Sequence, residues 1–261
     1  MSEKVAVLGP KGTFTEIAAE KIFEGAQMEY MDDVDDVFEY VDSGKGVGVV
    51  AVENSLEGSV SKTMEGLMEH DVRICGEATL DINLCLIKKK ETKDIKTVLS
   101  HPHALAQCRK YRKKTFPKAK PHATDSTAAA MLELDGIEDA AAIGPKYAAK
   151  TYGLEIVEEN IQDDRSQTRF IAIGKKECWG KKTSIIFAVK DEPGALYSVL
   201  KIFSDGKINL TKIESRPSRK KLGEYIFYVD FENNGLDKKG VEAMLLKIKE
   251  RTTLLKNLGS Y

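Results

Sequence analysis

The chain has 261 residues, enough for two compact domains at roughly 100–200 residues each. Its 40 Lys and Arg against 41 Asp and Glu give a formal charge of −1, which excludes a global pull toward nucleic acid or an anionic membrane, so any anion site must be local. Apolar runs such as Val47–Val52 and Ile185–Val189 fall far short of the roughly 20 residues that cross a bilayer, and the start Met1-Ser2-Glu3-Lys4 lacks a signal peptide's apolar stretch, so a cytoplasmic protein is expected.

In chain order, Val5–Leu8 reads as a short buried strand ending in the turn Gly9-Pro10-Lys11-Gly12, and a helical pattern follows through Ile17, Ala18, Lys21 and Ile22. Val47–Val52 is a second buried strand, after which Val60, Met64, Leu67 and Met68 recur at helical spacing. Ala78–Ile87 is extended, with Asp81 and Asn83 interrupting it. Val98-Leu99 leads into a helix from Pro102 through Tyr111, and another runs from about Ser126 to Leu134. Ala140–Ile143 is a strand, Lys146–Tyr152 a helix closed by Gly153, and Ile156-Val157 and Phe170–Ile173 are strands. Alternating strands and helices predict parallel sheet flanked by helices. The polar connector Gly174–Lys182 breaks the pattern, and a signal between the two halves is expected to cross there. Beyond it, strand Ser184–Lys190, helix Ala195–Phe203, strands Ile208–Glu214 and Glu224–Phe231, helix Val241–Glu250 and strand Thr253–Leu258 give the β-α-β-β-α-β order of a ferredoxin-like domain.

Four helix starts carry hydroxyl or amide groups. Thr13-Phe14-Thr15-Glu16 is a capping box after a glycine turn, and Glu53-Asn54-Ser55 leads through Gly58-Ser59 into the second helix. Ser100-His101 precedes Pro102, which suits a first helical position, and Asp125-Ser126-Thr127 opens an alanine-rich helix. Each cap is ordinary alone. Together they follow strands and point helix N-termini toward the carboxyl edge of a sheet, where open α/β sheets bind ligands and where exposed N–H groups favour carboxylates or phosphates. The Gly9–Gly12 turn matches neither nucleotide fingerprint, which argues against nucleotide binding. Cys75, Cys85, Cys108 and Cys178 show no C-x-x-C spacing and read as reduced thiols. His101-Pro102-His103 lacks a third ligand nearby, so no metal is expected. Thr168-Arg169-Phe170 puts a hydroxyl and a guanidinium at the mouth of a strand, on opposite faces.

Read as a set, Gly9-Pro10-Lys11-Gly12-Thr13-Phe14-Thr15-Glu16, Val52-Glu53-Asn54-Ser55-Leu56-Glu57-Gly58, Ser100–Cys108, Asp125–Ala130, Asn160-Ile161-Gln162-Asp163 and Thr168-Arg169-Phe170 resemble, in order, bacterial and archaeal prephenate dehydratases. The tail resembles that family's ACT regulatory domain through Gly194-Ala195-Leu196-Tyr197 and Glu214-Ser215-Arg216-Pro217. The resemblance covers essentially the whole chain. It implies an α/β catalytic region over residues 1–178, built as two lobes like a type 2 periplasmic binding protein, roughly 1–77 plus 158–178 and 78–157. An α+β ferredoxin-like ACT domain over 183–261 follows.

The implied reaction is cofactor-free decarboxylative dehydration of prephenate to phenylpyruvate in phenylalanine biosynthesis. Thr168 would be catalytic, with Thr13, Asn54, Ser55, Ser100, Thr127, Arg169 and Phe170 around the substrate. Arg169 would pair with a carboxylate or lock the lobes. Feedback phenylalanine would bind at Gly194, Ala195, Leu196, Tyr197, Asn209, Glu214, Ser215, Arg216 and Pro217, in a homodimer or homotetramer, with no nucleic-acid, membrane or metal partner. Four positions depart from the family's usual residues: Ala51 for proline, His103 for glutamine, Ser166 for asparagine and Tyr197 for valine. The alternatives are an arogenate dehydratase, or a non-enzymatic amino-acid-sensing module. Against the latter stand Thr168 and the hydroxyl-bearing helix starts.

Overall fold

The computed structural model describes residues 4–218 and 224–261. The elements run β1 (Lys4–Leu8), α1 (Phe14–Ile22), β2 (Gln27–Met31), α2 (Val34–Asp42), β3 (Val47–Asn54), β4 (Gly58–Ser59), α3 (Ser61–Glu69), β5 (Arg73–Asp81), β6 (Cys85–Lys88) and β7 (Thr97–Ser100). There follow α4 (Pro102–Gln107), α5 (Arg109–Thr115), β8 (Lys120–Ala123), α6 (Ala129–Glu133), β9 (Ala140–Gly144), α7 (Lys146–Thr151), β10 (Glu155–Glu158) and β11 (Gln167–Gly174). The tail holds β12 (Lys182–Ala188), α8 (Ala195–Asp205), β13 (Leu210–Pro217), β14 (Tyr225–Glu232), α9 (Lys238–Lys249) and β15 (Leu254–Ser260). Packing divides the chain into one unit of Met1–Met64 with Glu77–Ala172 and a second of Glu65–Gly76 with Ile173–Tyr261.

Two sheets make the two lobes of the first unit. The first has the order β2-β1-β3-β11-β5, with β4 paired to β3 and β1 parallel to both neighbours. The second has the order β10-β6-β9-β7-β8. Its central strands are covered on both faces, which is why they read as unbroken apolar runs. Leu86, Ala141 and Ile143 face one core with Leu84, Val98 and Leu105, while Cys85, Ile87, Ala140 and Ala142 face another with Met131, Leu134 and Ala148. The chain reaches this sheet after β5 and returns to the first through β11.

The second sheet is mixed where parallel sheet was expected. β7 runs parallel to β8 and β9, whereas β6 is antiparallel to β9 and β10. A buried apolar run looks the same in either direction. β2 and α2 were also not read from the sequence, although α2 shows Val34, Val37, Phe38 and Val41 at helical spacing behind an Asp33 capping box. The helix expected over Pro102–Tyr111 breaks at Cys108, because the Asp163 carboxylate accepts from Lys110 N (2.8 Å) and Tyr111 N (3.2 Å) and starts a new helix. The helix expected from Ser126 begins at Ala129, since Ser126 Oγ accepts from Ala129 N at 2.9 Å.

In the second unit the antiparallel order β13-β14-β12-β15 carries α8 and α9 on one face, over a core including Ile185, Phe187, Val199, Phe203, Val229, Phe231 and Ile248. Residues 65–76 join this unit by specific bonds. Lys256 Nζ donates to the carbonyls of Met68 (3.0 Å) and His70, capping the C-terminal end of α3 with a cation. Arg73 donates to Asn257 O. Gly259, at φ 110°, lets the backbone close on Ile74, whose carbonyl would lie 2.9 Å from a Cβ at that position. The two units are therefore joined by chain at three places, near Met64, Gly76 and Ala172, and not through the 174–182 connector alone.

Candidate active site

Thr168 begins the buried alternation of β11. It is 8% exposed, Phe170 is 2% exposed, and Arg169 between them faces the other side of the strand. Phe170 lies wholly in the core, on the same face of the strand as Thr168. Arg169 Nε donates to Glu77 Oε2 at 2.7 Å, and its Nη1 lies 3.9 Å from Glu53 Oε2. Its guanidinium thus joins acids on the flanking strands β3 and β5, a pairing that strand phase alone does not reveal.

On the Thr168 side, the end of β3 supplies Asn54 and Ser55. Asn54 Oδ1 accepts from Leu56 N (2.9 Å) and Glu57 N (3.1 Å), the local turn that asparagine favours. With its oxygen so engaged, the amide group is turned toward β11, and Nδ2 donates to Thr168 Oγ1 at 2.8 Å. Ser55 brackets the residue before Thr168, since its N–H donates to Gln167 O and its Oγ accepts from Gln167 N, both at 2.9 Å. Gln167 Nε2 donates to Asp81 Oδ1 at 2.8 Å, bridging the strands where the chain leaves and re-enters the first lobe. Gln167 was missed in the sequence because its partners are 86 and 112 residues away. Ser166 Oγ is, among the described residues, a buried side-chain oxygen without a hydrogen-bond partner.

The other expected hydroxyls have different surroundings. Thr13 caps α1, accepting from Glu16 N and donating to Leu8 O, both at 3.2 Å. Ser100 is fully buried and donates to Ile143 O at 2.6 Å, while His101 takes the cap position before Pro102. Both hydroxyls thus already hold a hydrogen bond within their own lobe. Thr127 is half-buried in the turn ahead of α6. Burial and the neighbouring His103 hold the His101 imidazole below its usual pKa, and His103 Nδ1 lies 3.9 Å from Glu57 Oε2, between the two lobes.

In the second unit, Gly194 adopts φ 84° and opens α8, with Ala195 and Leu196 half-buried and Tyr197 67% exposed. A pocket of about 390 Å³ beside this turn is lined by residues that include Lys190, Glu192, Gly194, Ser198 and Arg251. Asn209 Nδ2 donates to Glu232 Oε2 at 3.2 Å. Glu214, Ser215, Arg216 and Pro217 lie on β13, the outer strand of the sheet, with Glu214 and Arg216 sharing one face and Ser215 and Pro217 the other. Arg216 Nη2 lies 3.9 Å from Glu65 Oε1. Among the described residues, no group of three His, Cys, Asp or Glu could hold a metal ion, and no helix is long and apolar enough to cross a membrane.

Residues 5–178 match the family model for prephenate dehydratase, and residues 183–244 match that for the ACT domain. The chain is 45% identical over 273 residues to a prephenate dehydratase of Methanocaldococcus jannaschii, covering 100% of this chain and 98% of that protein. It is 38% identical over 280 residues to arogenate dehydratase/prephenate dehydratase 2 of Arabidopsis thaliana, with 99% and 72% covered. Among solved structures, prephenate dehydratase of Arthrobacter aurescens in complex with L-Phe superposes with a TM-score of 0.88 at 32% identity, covering 98% of this chain and 89% of that one.

Proposed function

The chain belongs to the prephenate dehydratase family, and we propose that Thr168 assists the departing ring hydroxyl of prephenate while Asn54 aims it. The observation that carries this reading is the Asn54 Nδ2 to Thr168 Oγ1 bond of 2.8 Å. Because the asparagine oxygen is taken by two backbone N–H groups, Asn54 can only donate to Thr168. Thr168 Oγ1 therefore gives a lone pair to Asn54 and keeps its own proton for another acceptor.

In the reaction the bond from C1 to the ring carboxylate breaks and CO₂ leaves. Its electron pair moves through the ring diene and expels the C4 oxygen, which departs as water after gaining a proton. Aromatisation drives both cleavages, so a strong base is unnecessary. What the site must supply is orientation and a donor aimed at the oxygen where negative charge develops. A threonine hydroxyl is a very weak acid, so Thr168 acts as a hydrogen-bond donor to that oxygen, and any proton it passes on late in the step is regained from water before the next turnover. Ser55 retains its hydroxyl proton after accepting from Gln167, and Thr127 lies half-buried at the start of its helix. These two take the orienting role toward the substrate carboxylates.

The ACT match and the relative crystallised with L-Phe support feedback by phenylalanine, held near the Gly194 turn and the Glu214–Pro217 strand. The catalytic region then spans residues 1–178 and the regulatory domain 183–261, in a homodimer or homotetramer acting in the cytoplasm. The test is phenylpyruvate formation from prephenate by purified protein, with and without phenylalanine. Thr168→Val should lower kcat by about 10²–10³, the scale of losing one such donor. Near-normal turnover by that variant would sink the Thr168 role, and no turnover by the parent protein would sink the substrate. Arogenate run alongside addresses the preference suggested by the plant relative's name.

A further inference from the structure

We propose that Glu16, Tyr147 and Tyr152 form a clamp between the two lobes of the catalytic region, through which α7 fixes the turn ahead of α1 and holds the substrate cleft closed. The inference rests on the prephenate reading for its kinetic test. Glu16 is 5% exposed and carries a carboxylate to which the proposed dehydration chemistry gives no role. In an ordinary capping box that carboxylate would turn back to the N–H of Thr13. Here Oε2 accepts instead from Gly12 N at 2.6 Å, and Oε1 accepts at 2.8 Å from the hydroxyl of Tyr147, 131 residues along and in the other lobe.

A second bond lies beside it. Tyr152, five positions after Tyr147, donates its hydroxyl to Lys11 O at 2.6 Å. Between the two bonds sits Gly12, at φ 95°, where a Cβ would fall 3.2 Å from both the Ala148 Cβ and the Tyr152 ring. The turn backbone therefore rests directly on α7, and only glycine satisfies both the left-handed φ and the close approach. Burial first, and then the nearby Glu16 carboxylate, also raise the pKa of the Tyr30 hydroxyl, from β2. Burial first, and then the Glu16 carboxylate, push the Tyr147 hydroxyl up to about 12, so it remains a protonated donor throughout the working range.

The Tyr152 ring packs against the apolar core of its lobe beside Ala148 and Ala149, and a phenylalanine keeps that packing, whereas the two tyrosine hydroxyls reach outside it. Their hydrogen bonds therefore act on lobe closure more than on folding of either lobe. Tyr147→Phe and Tyr152→Phe remove one clamp bond each and little volume. Each should raise KM for prephenate about three- to tenfold, the scale of one hydrogen bond to a charged or carbonyl oxygen at a partly exposed site. The double variant should raise KM further, with kcat held within about twofold, since closure and not the chemical step is weakened. Hydrogen exchange of the backbone over residues 9–16 should also quicken in both variants, an outcome measured without substrate.

Unchanged KM together with unchanged exchange overturns the clamp. So does a lowered thermal midpoint with KM unchanged, which would make the bonds merely structural. If the parent protein fails to convert prephenate, the functional reading falls, and the exchange measurement still decides the clamp.

Discussion

The sharpest test of the site is Asn54→Asp, which keeps the shape and reverses the polarity of one atom. In the parent chain Nδ2 donates to Thr168 Oγ1 at 2.8 Å while Oδ1 accepts from Leu56 N and Glu57 N. The introduced carboxylate keeps both backbone bonds and faces Thr168 with a second acceptor. Thr168 must then donate to that carboxylate, and its lone pairs, not its proton, face the leaving oxygen. Losing that donor should cost about 3–4 kcal/mol at the transition state, or 10²–10³ in kcat. The new charge also repels a dianionic substrate, so KM should rise. Asn54→Ala removes the aim but leaves Thr168 free to rotate, and about tenfold is expected, the worth of one net hydrogen bond. The order of activity is therefore parent, alanine variant, aspartate variant. Counting retained hydrogen bonds predicts the reverse order for the two variants, because aspartate keeps two bonds that alanine loses. Protonation would turn the introduced carboxyl back into a donor, so the relative activity of Asn54→Asp should recover as pH falls toward the ordinary aspartate value of about 3.9. The assay is phenylpyruvate release, corrected for the acid-catalysed background. Equal or greater activity for Asn54→Asp than for Asn54→Ala would refute the reasoning.

Arg169→Met should destabilise the protein by roughly 1–2 kcal/mol in chemical denaturation, because Glu53 and Glu77 lose the guanidinium between them, Arg169 being 14% exposed in its side chain but Glu77 30% and Glu53 39%. Adding Glu77→Gln should recover part of the loss, and a single variant within about 0.5 kcal/mol of the parent would contradict that role. Gly259→Ala should lower stability by about 1–3 kcal/mol, since its φ of 110° and the Ile74 carbonyl 2.9 Å from a Cβ both oppose a side chain. A thermal midpoint equal to the parent's would show that the backbone there yields freely.

Local chemistry was legible in the chain, and long-range partnership was not. The Thr13 cap could be read three residues from Glu16, but not that the Glu16 carboxylate turns to Gly12 and Tyr147. Ser100 stood before a helix start as expected, yet its hydroxyl is consumed by Ile143, 43 residues on, and His101 does the capping. The helix break at Cys108 depends on Asp163, more than 50 residues away, and leaves no mark on the helical pattern itself. β8, Lys120–Ala123, is exposed throughout and pairs only along the sheet edge, so no apolar run announces it. α2 is a different case, because its apolar spacing and cap lie in plain view between Asp33 and Val41. Asn54, Ser55 and Thr168 were all named from the sequence, and the bonds among them and Gln167 supply the polarity that a string of residue types lacks.

The strip from Glu65 to Gly76 gives the regulatory unit an unusual inheritance. Its sequence lies more than a hundred residues upstream of the ACT sheet that it packs with, inside the catalytic coding region. A recombination event that exchanged everything after Gly180 would import a new Lys256 and Asn257 while leaving the old Met68, His70 and Arg73 to meet them. Changes on one side must therefore be matched on the other before a swapped tail can seat. In this chain the ACT domain is less a cassette than a graft whose rootstock is written into the enzyme.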